Sequence, residues 1–242
     1  MTDIAANLRA VQTRIATAAA RVGRDAADIR LLPVSKTKPP ECVLEAHRAG
    51  CVRFGENKVQ EAMDKWEALA GTAVEWAVIG HLQSNKAKYV ARFATEFQAL
   101  DSLRLARELD RRLQQEGRRL EVLIQVNSSG EPQKFGVEPE ETVELARQLT
   151  AFDALAVRGL MTLAVFTSDR ERVSQCFRRM QEVQRELQQA TGEPWPELSM
   201  GMSGDFELAI EHGATCLRVG QAIFGNRLDP NHYWPGSMPV QS

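Results

Sequence analysis

Residues 198–225 read LSMGMSGDFELAIEHGATCLRVGQAIFG. Leu198 to Met200 has the pattern of a short buried strand and runs into the small residues Gly201 to Ser203. A helix is predicted from about Gly204, with Ser203 as its N-cap, because apolar residues then recur at spacings of three and four. Cys216 to Val219 reads as a second strand, after which Gly220 and Gln221 lead into a short closing helix over Ala222 to Phe224. Strand, loop and helix thus repeat in one sense, as in a parallel sheet faced by helices. Both loops follow strands, so the free N–H groups and positive dipole ends of the helices they open lie at one end of the sheet. Such an arrangement binds anions.

The same alternation extends back through the chain. Apolar runs at Arg30 to Ser35, Cys51 to Phe54, Trp76 to Ile79, Phe97 to Leu100, Val122 to Val126 and Ala156 to Leu160 precede the two strands above. Helical patterns begin near Pro39, Lys58, Asn85, Leu103, Glu138, Asp169 and Gly204. Eight strands alternating with helices in 242 residues match a single (β/α)8 barrel, a TIM barrel, which typically takes roughly 250. An open doubly wound sheet is the alternative, but no G-x-G-x-x-G follows an early strand. The expected organisation is an extra N-terminal helix within residues 1–28, packed on a barrel over 29–227, and a loosely packed tail over 228–242. Pro230, Pro235 and Pro239 suggest the looseness of that tail.

Composition narrows the function classes. Apolar residues make up 43% of the chain, enough for a packed core, and 30 Lys and Arg against 32 Asp and Glu leave a net charge of -2. A polyanion would find no global positive field, so non-specific nucleic-acid binding is not expected. The longest apolar runs fall short of the roughly 18 residues that span a bilayer. Asp3 and the arginines at 9, 14 and 21 break up the N-terminal segment, which lacks the apolar core of a secretory signal. Cys42, Cys51, Cys176 and Cys216 stand singly, as reduced thiols of a cytoplasmic protein do.

In a parallel barrel the loops after the strands build the reactive face. The residues found there are Lys36, Glu56 with Asn57, His81 with Gln83 and Asn85, Asp101 with Ser102, Asn127 with Ser128, Met161 with Thr162, Ser199 to Ser203, and Arg218 with Gly220. Polar residues also serve as loop solvators and helix caps, a role open to Asn57, Asn85 and Ser102. Lys36 closes the apolar run LLPVSK (31–36), which places it at a barrel rim among neighbours that disfavour an ammonium. A solvated lysine is the plain alternative. A partly desolvated one is what Schiff-base chemistry requires. Lysine on the first strand, facing an anion clamp on the last two, describes a site for a phosphorylated aldehyde, with pyridoxal 5'-phosphate (PLP) as the candidate.

The segments VSKTKP, FGENKVQE, IGHLQSNK, GLMT, LSMGMSGDFELAI and RVGQAIFGNR, in that order, resemble the YggS-type pyridoxal phosphate homeostasis family. The resemblance runs from the first strand to about Arg227. It implies a fold-type III barrel that carries PLP as an internal aldimine on Lys36, has no established turnover, and holds, buffers or delivers PLP, affecting amino-acid and keto-acid metabolism. Carried over by position, Ser203 with Gly204, Gly220 and Gln221 would hold the phosphate, and Arg218 would face the pyridine nitrogen. Asn57, His81 and Met200 would line the cofactor, with Lys134 and Phe135 near the entrance. Gln221 departs from the hydroxyl residue commonest at its position, so its contribution there would be its backbone N–H.

Arg218 bears on the reaction class, since a guanidinium only donates and would keep a facing ring nitrogen unprotonated, weakening the ring as an electron sink. The alternative reading is an amino-acid racemase, which needs a second base, a tyrosine in enzymes of that type. Only Tyr89, inside a helical stretch, and Tyr233, in the tail, are available. An aldolase-like barrel using Lys36 on a sugar phosphate is a third reading, in which His81 is either an acid–base group or a structural histidine. No metal is expected. PLP-dependent apo-enzymes are the partners the resemblance suggests, and the arginine-rich stretch VSQCFRRMQEVQREL reads as a solvent-facing helix of a monomer.

Overall fold

The computed structural model describes residues 2–225. Helix α1 (Ile4–Arg21) starts where the Asp3 side chain accepts the Ala6 N–H at 2.8 Å, and it buries Ile4, Leu8, Val11, Ile15 and Ala18 along one stripe. A turn of 3-10 helix at Ala26–Asp28 then delivers the chain into the sheet. The strands are β1 (Arg30–Pro33), β2 (Arg53–Glu56), β3 (Glu75–Val78), β4 (Glu96–Leu100), β5 (Leu120–Gln125), β6 (Leu155–Met161), β7 (Glu197–Ser199) and β8 (Cys216–Val219). Between them run α2 (Pro40–Arg48), α3 (Val59–Ala68), α4 (Ala87–Phe93), α5 (Leu103–Glu116), α6 (Thr142–Leu149), α7 (Arg170–Thr191) and α8 (Phe206–Glu211), and α9 (Gln221–Phe224) follows β8.

The strands lie in the order β1-β8-β7-β6-β5-β4-β3-β2, and each hydrogen-bonded pair is parallel. Val34 bridges to Gly55, and the Ser35 N–H donates to Gly55 O at 3.1 Å, so β1 meets β2 and the sheet closes. This is the predicted (β/α)8 barrel with its additional helix. On the outside, α1 is held by Asn7 Nδ2 donating to Ile223 O at 2.9 Å and by the Ile4 N–H donating to Glu45 Oε1 at 3.1 Å.

Two apolar regions result. The larger one joins the strands to the helices, while a small inner one contains Leu32, Ala77 and Cys216, with Ile79 against it. Polar side chains occupy the barrel interior on either side of this inner cluster. At the end where the strands begin, Arg30 bonds Glu96 at 2.7 and 3.0 Å and Glu197 at 2.8 Å. Arg53 bonds Glu75 at 2.8 Å, Glu96 at 2.5 Å and Glu121 at 2.9 Å. Glu96 is buried, which alone would raise its carboxyl, but the bonds from Arg30, Gln98 and Arg53 hold it below the usual carboxylate range.

Several local expectations are corrected. The second strand begins two residues later than its apolar run, because the Cys51 N–H instead closes the end of α2 on Ala46 O at 3.1 Å. The helix after β7 starts at Phe206 rather than Gly204, since Asp205 Oδ1 accepts the Met202 N–H at 2.6 Å and holds residues 202–205 in a turn. Ser203 therefore does not cap it. Asn57 and Asn85 are not caps either, because α3 has Lys58 at its N-cap and Asn85 lies inside a 3-10 turn. Ser102 does cap α5, accepting the Leu105 N–H at 3.4 Å. All four cysteines are free thiols, and among the described residues no helix is long and apolar enough to cross a membrane. Arg227, Tyr233 and the predicted tail over 228–242 lie outside the described residues.

Candidate cofactor site

Strand β1 leads directly to Lys36. Leu32 belongs to the inner cluster, and the side chains of Leu32 and Val34 both approach Gly55 across the barrel seam. Lys36, two residues beyond Val34, stands in the turn that follows β1 and is half-buried. Ser35, of opposite parity, turns away and donates to Glu56 Oε1 at 2.6 Å. Behind it Lys65 Nζ, almost wholly buried, donates to Ser35 O at 2.7 Å, Glu56 Oε1 at 2.6 Å and Glu61 Oε1 at 2.8 Å. On the other flank the Thr37 N–H donates to Glu61 Oε1 at 2.5 Å. Thr37 has φ +64°, a left-handed conformation that is strained for a β-branched residue. Both neighbours of Lys36 are thus tied to one buried ion cluster. Burial pushes the Glu56 carboxyl up to about 7 against the opposing pull of Lys65, and its Oε2 is buried without a hydrogen-bond partner.

The order β7-β8-β1 brings the loops that carry Ser203, Gly204, Gly220 and Gln221 next to the strand that leads to this lysine. Gly220 is pressed against β1, since a Cβ there would lie 3.0 Å from Val34 O, so a larger residue would push the loop off the strand that carries Lys36. The Ser203 hydroxyl accepts the Ala222 N–H at 3.3 Å and ties the β7 and β8 loops together. A Cβ on Gly204 would meet nothing within 4 Å, so open space borders this loop. Gln221 is exposed at the start of α9.

Arg218 lies deeper, its backbone level with Leu32, and is buried. Its Nη1 donates to Ser199 Oγ at 2.6 Å and its Nη2 to Thr162 O at 2.6 Å. A guanidinium has five N–H bonds, and these contacts use two. An amine, the N–H groups of two joined loops and a guanidinium on neighbouring strands are the kinds of donor that the aldehyde, phosphate and ring nitrogen of a phosphorylated pyridine aldehyde would need. The residues fit PLP.

Opposite them, His81 is exposed after β3, its Nδ1 3.5 Å from Asp101 Oδ2. The Phe135 ring stacks on it, with centroids 3.8 Å apart and planes within 10°. Phe135 belongs to the long segment between β5 and α6, which Lys134 anchors by donating to Ala164 O at 3.0 Å and pairing with Glu131 at 2.6 Å. The segment thereby links the loops after β3 and β6. Asn57 is exposed at the end of β2, whereas Met200 is fully buried in the large apolar cluster. Tyr89 is half-buried in α4.

Sequence reasoning missed Lys65, Glu61, Glu96 and Gln98. Lys65 follows Glu61 by four residues, which reads as a solvent pair on a helix, and nothing local reveals its burial. Glu96 and Gln98 did leave a signal, as polar residues alternating with Phe97 and Ala99 in a strand.

Residues 5–228 match the family described as "Alanine racemase, N-terminal domain". The pyridoxal phosphate homeostasis protein of Aquifex aeolicus is 42% identical over 220 residues, which cover 91% of this chain and 96% of that protein. That of Escherichia coli K12 is 42% identical over 231 residues, covering 94% and 98%. The chain belongs to the pyridoxal phosphate homeostasis protein family. The structure of PipY from Synechococcus elongatus with PLP bound is similar at a TM-score of 0.80 and 32% identity, covering 92% of this chain and all of that one. Alanine racemase of Clostridium difficile shares the barrel at a TM-score of 0.76 but only 14% identity, and this chain covers 58% of its length.

Proposed function

We propose that this protein binds PLP at the mouth of the barrel and serves in PLP homeostasis, holding or delivering the cofactor rather than turning over a substrate. The observation that carries the reading is the adjacency of Lys36, the Ser203–Gly220 loop pair and Arg218 on three neighbouring strands. Membership in a family whose relatives bear that name, together with the likeness to PipY solved with PLP, supports it. When bound, PLP supplies an aldehyde able to bond covalently to an amine. Lys36 provides that amine. Ser203, Gly204, Gly220 and Gln221 hold the phosphate, and Arg218 donates to the ring nitrogen. His81 and Asn57 form the remaining wall, with Lys134 and Phe135 across the entrance, while Met200, buried in the large apolar cluster, does not touch the cofactor. Apo-enzymes that use PLP are the partners in this reading, and the barrel works as a cytoplasmic monomer.

The racemase reading finds no support in the placement of Tyr89, which is half-buried within α4. The test is the absorption spectrum of purified protein and of Lys36→Ala, each before and after borohydride. A near-visible band that Lys36→Ala lacks, and that borohydride bleaches while leaving the cofactor covalently attached to the wild type, is the expected result. A wild type that stays colourless after PLP is added would refute the reading, and steady formation of D-alanine from L-alanine would restore the racemase.

A further inference from the structure

Barrels of this type fill their interior mainly with Val, Ile and Leu. Here, a line of fully buried polar side chains crosses the interior instead. Arg218 Nη1 donates to Ser199 Oγ at 2.6 Å, Ser199 Oγ donates to Gln98 Oε1 at 2.7 Å, and Gln98 Nε2 donates to Glu96 Oε1 at 2.5 Å. Glu96 ends the line, accepting from Arg30 and Arg53 at the opposite end of the barrel. Ser199 and Gln98 are completely buried, and Glu96 and Arg218 nearly so.

The direction of each bond is forced. Arginine can only donate and an ionised carboxylate only accept, so the Ser199 hydroxyl proton points to Gln98 and the Gln98 amide is fixed with its nitrogen toward Glu96. Every link is polarised toward the same negative end, and such links strengthen one another in a low-dielectric interior. Burial costs the Arg218 cation its water, and among the described residues no carboxylate bonds it directly. Its compensation is the Thr162 carbonyl, this line and the more distant charge of Asp205.

We infer that Gln98 and Ser199, backed by Glu96, are positioning residues for Arg218: they lock the guanidinium in the orientation that presents its remaining N–H donors to the cofactor ring. This rests on the reading of Arg218 as the ring-nitrogen partner. Neither Gln98 nor Ser199 touches the cofactor in this scheme, so both act only through Arg218.

The test uses full-length wild type and the variants Gln98→Met, Ser199→Ala, Arg218→Met and the double variant Gln98→Met/Arg218→Met, with PLP affinity and the absorption spectrum of bound PLP as readouts. Circular dichroism and thermal melting check that each is folded. Losing one buried hydrogen-bonded link is expected to weaken PLP binding about tenfold and to shift the bound-cofactor band in the direction that Arg218→Met shifts it. In the double variant, Gln98→Met should add less than about twofold to the effect of Arg218→Met. Ser199→Ala removes a single hydroxyl and decides the matter should Gln98→Met fail to fold, while Ser199→Thr should retain the wild-type band. An altered band in Arg218→Met beside unchanged bands in folded Gln98→Met or Ser199→Ala would overturn the inference, as would full additivity in the double variant. A band that Arg218→Met leaves unchanged would instead remove the underlying reading of Arg218.

Discussion

Replacing Lys65 with methionine tests the buried cluster behind Lys36. The substitution keeps the volume but removes three hydrogen bonds, to Ser35 O, Glu56 and Glu61, and with them an ammonium that serves two buried carboxylates. Breaking a buried pair by deleting one partner typically costs about 3–5 kcal/mol, because the remaining charge is stranded. That cost depends on pH. In the folded wild type the Glu56 carboxyl is raised to about 7, from 4.5 in the absence of the fold. A raised folded value means that the native state holds the proton more tightly. The contribution of Glu56 to stability is therefore full below about pH 4.5 and is lost as the pH rises through 7, a change of about 3 kcal/mol across that window. In Lys65→Met, Glu56 takes up its proton at still higher pH. The variant should be destabilised by about 3–5 kcal/mol at pH 8 but only by about 1–2 kcal/mol at pH 5, where a protonated Glu56 needs no cation. Urea unfolding of cofactor-free wild type and variant, followed by tryptophan fluorescence at both pH values, measures the difference. Equal costs at the two pH values, or a cost at pH 8 below about 1 kcal/mol, would refute the argument that the cluster is a buried, lysine-neutralised carboxylate pair. The variant should also bind PLP more weakly, since Ser35 loses the lysine bond to its carbonyl and the Glu61 that holds Thr37 loses its cation.

Gly201→Ala forces a side chain onto a residue with φ +92°, where its Cβ would lie 2.6 Å from Ala209 Cβ, so a loss of about 2–4 kcal/mol in chemical denaturation is expected. Ser102→Ala removes the cap of α5 and should cost about 1 kcal/mol, with the PLP spectrum unchanged because Ser102 caps a helix rather than holding cofactor. Phe135→Ala deletes the ring stacked on His81, an aromatic contact of about 0.5–1.5 kcal/mol. Release of PLP to a competing acceptor should accelerate by a factor of about 2–10, while the melting temperature of the cofactor-free protein falls by only about 2–4 °C.

The architecture was legible in the sequence because barrel order follows from a local repeat. Each apolar run is short and each helix carries its own stripe, so counting them gives the number of strands. Lys36, Gly220 and Arg218 could be singled out because they interrupt that repeat at strand ends, where loops meet the mouth. Local boundaries were less legible. Ser203, Asn57 and Asn85 are good caps by residue type, yet Asp205 closes a turn on Met202 and displaces the start of α8, a competition between neighbouring side chains for the same N–H groups.

What the sequence determined by itself was the kind of chemistry available and the end of the barrel at which it gathers, because strand alternation and loop position are properties of neighbouring residues. Only the tertiary structure decided what supports that chemistry. The Lys65 cluster joins β1 and β2 to α3, and the line from Arg218 to Glu96 joins β8 and β7 to β4. Each couples residues distant along the chain, in a setting where exclusion of water turns ordinary polar side chains into obligatory partners. Burial of that kind is created by closure of the barrel, and no local pattern encodes it.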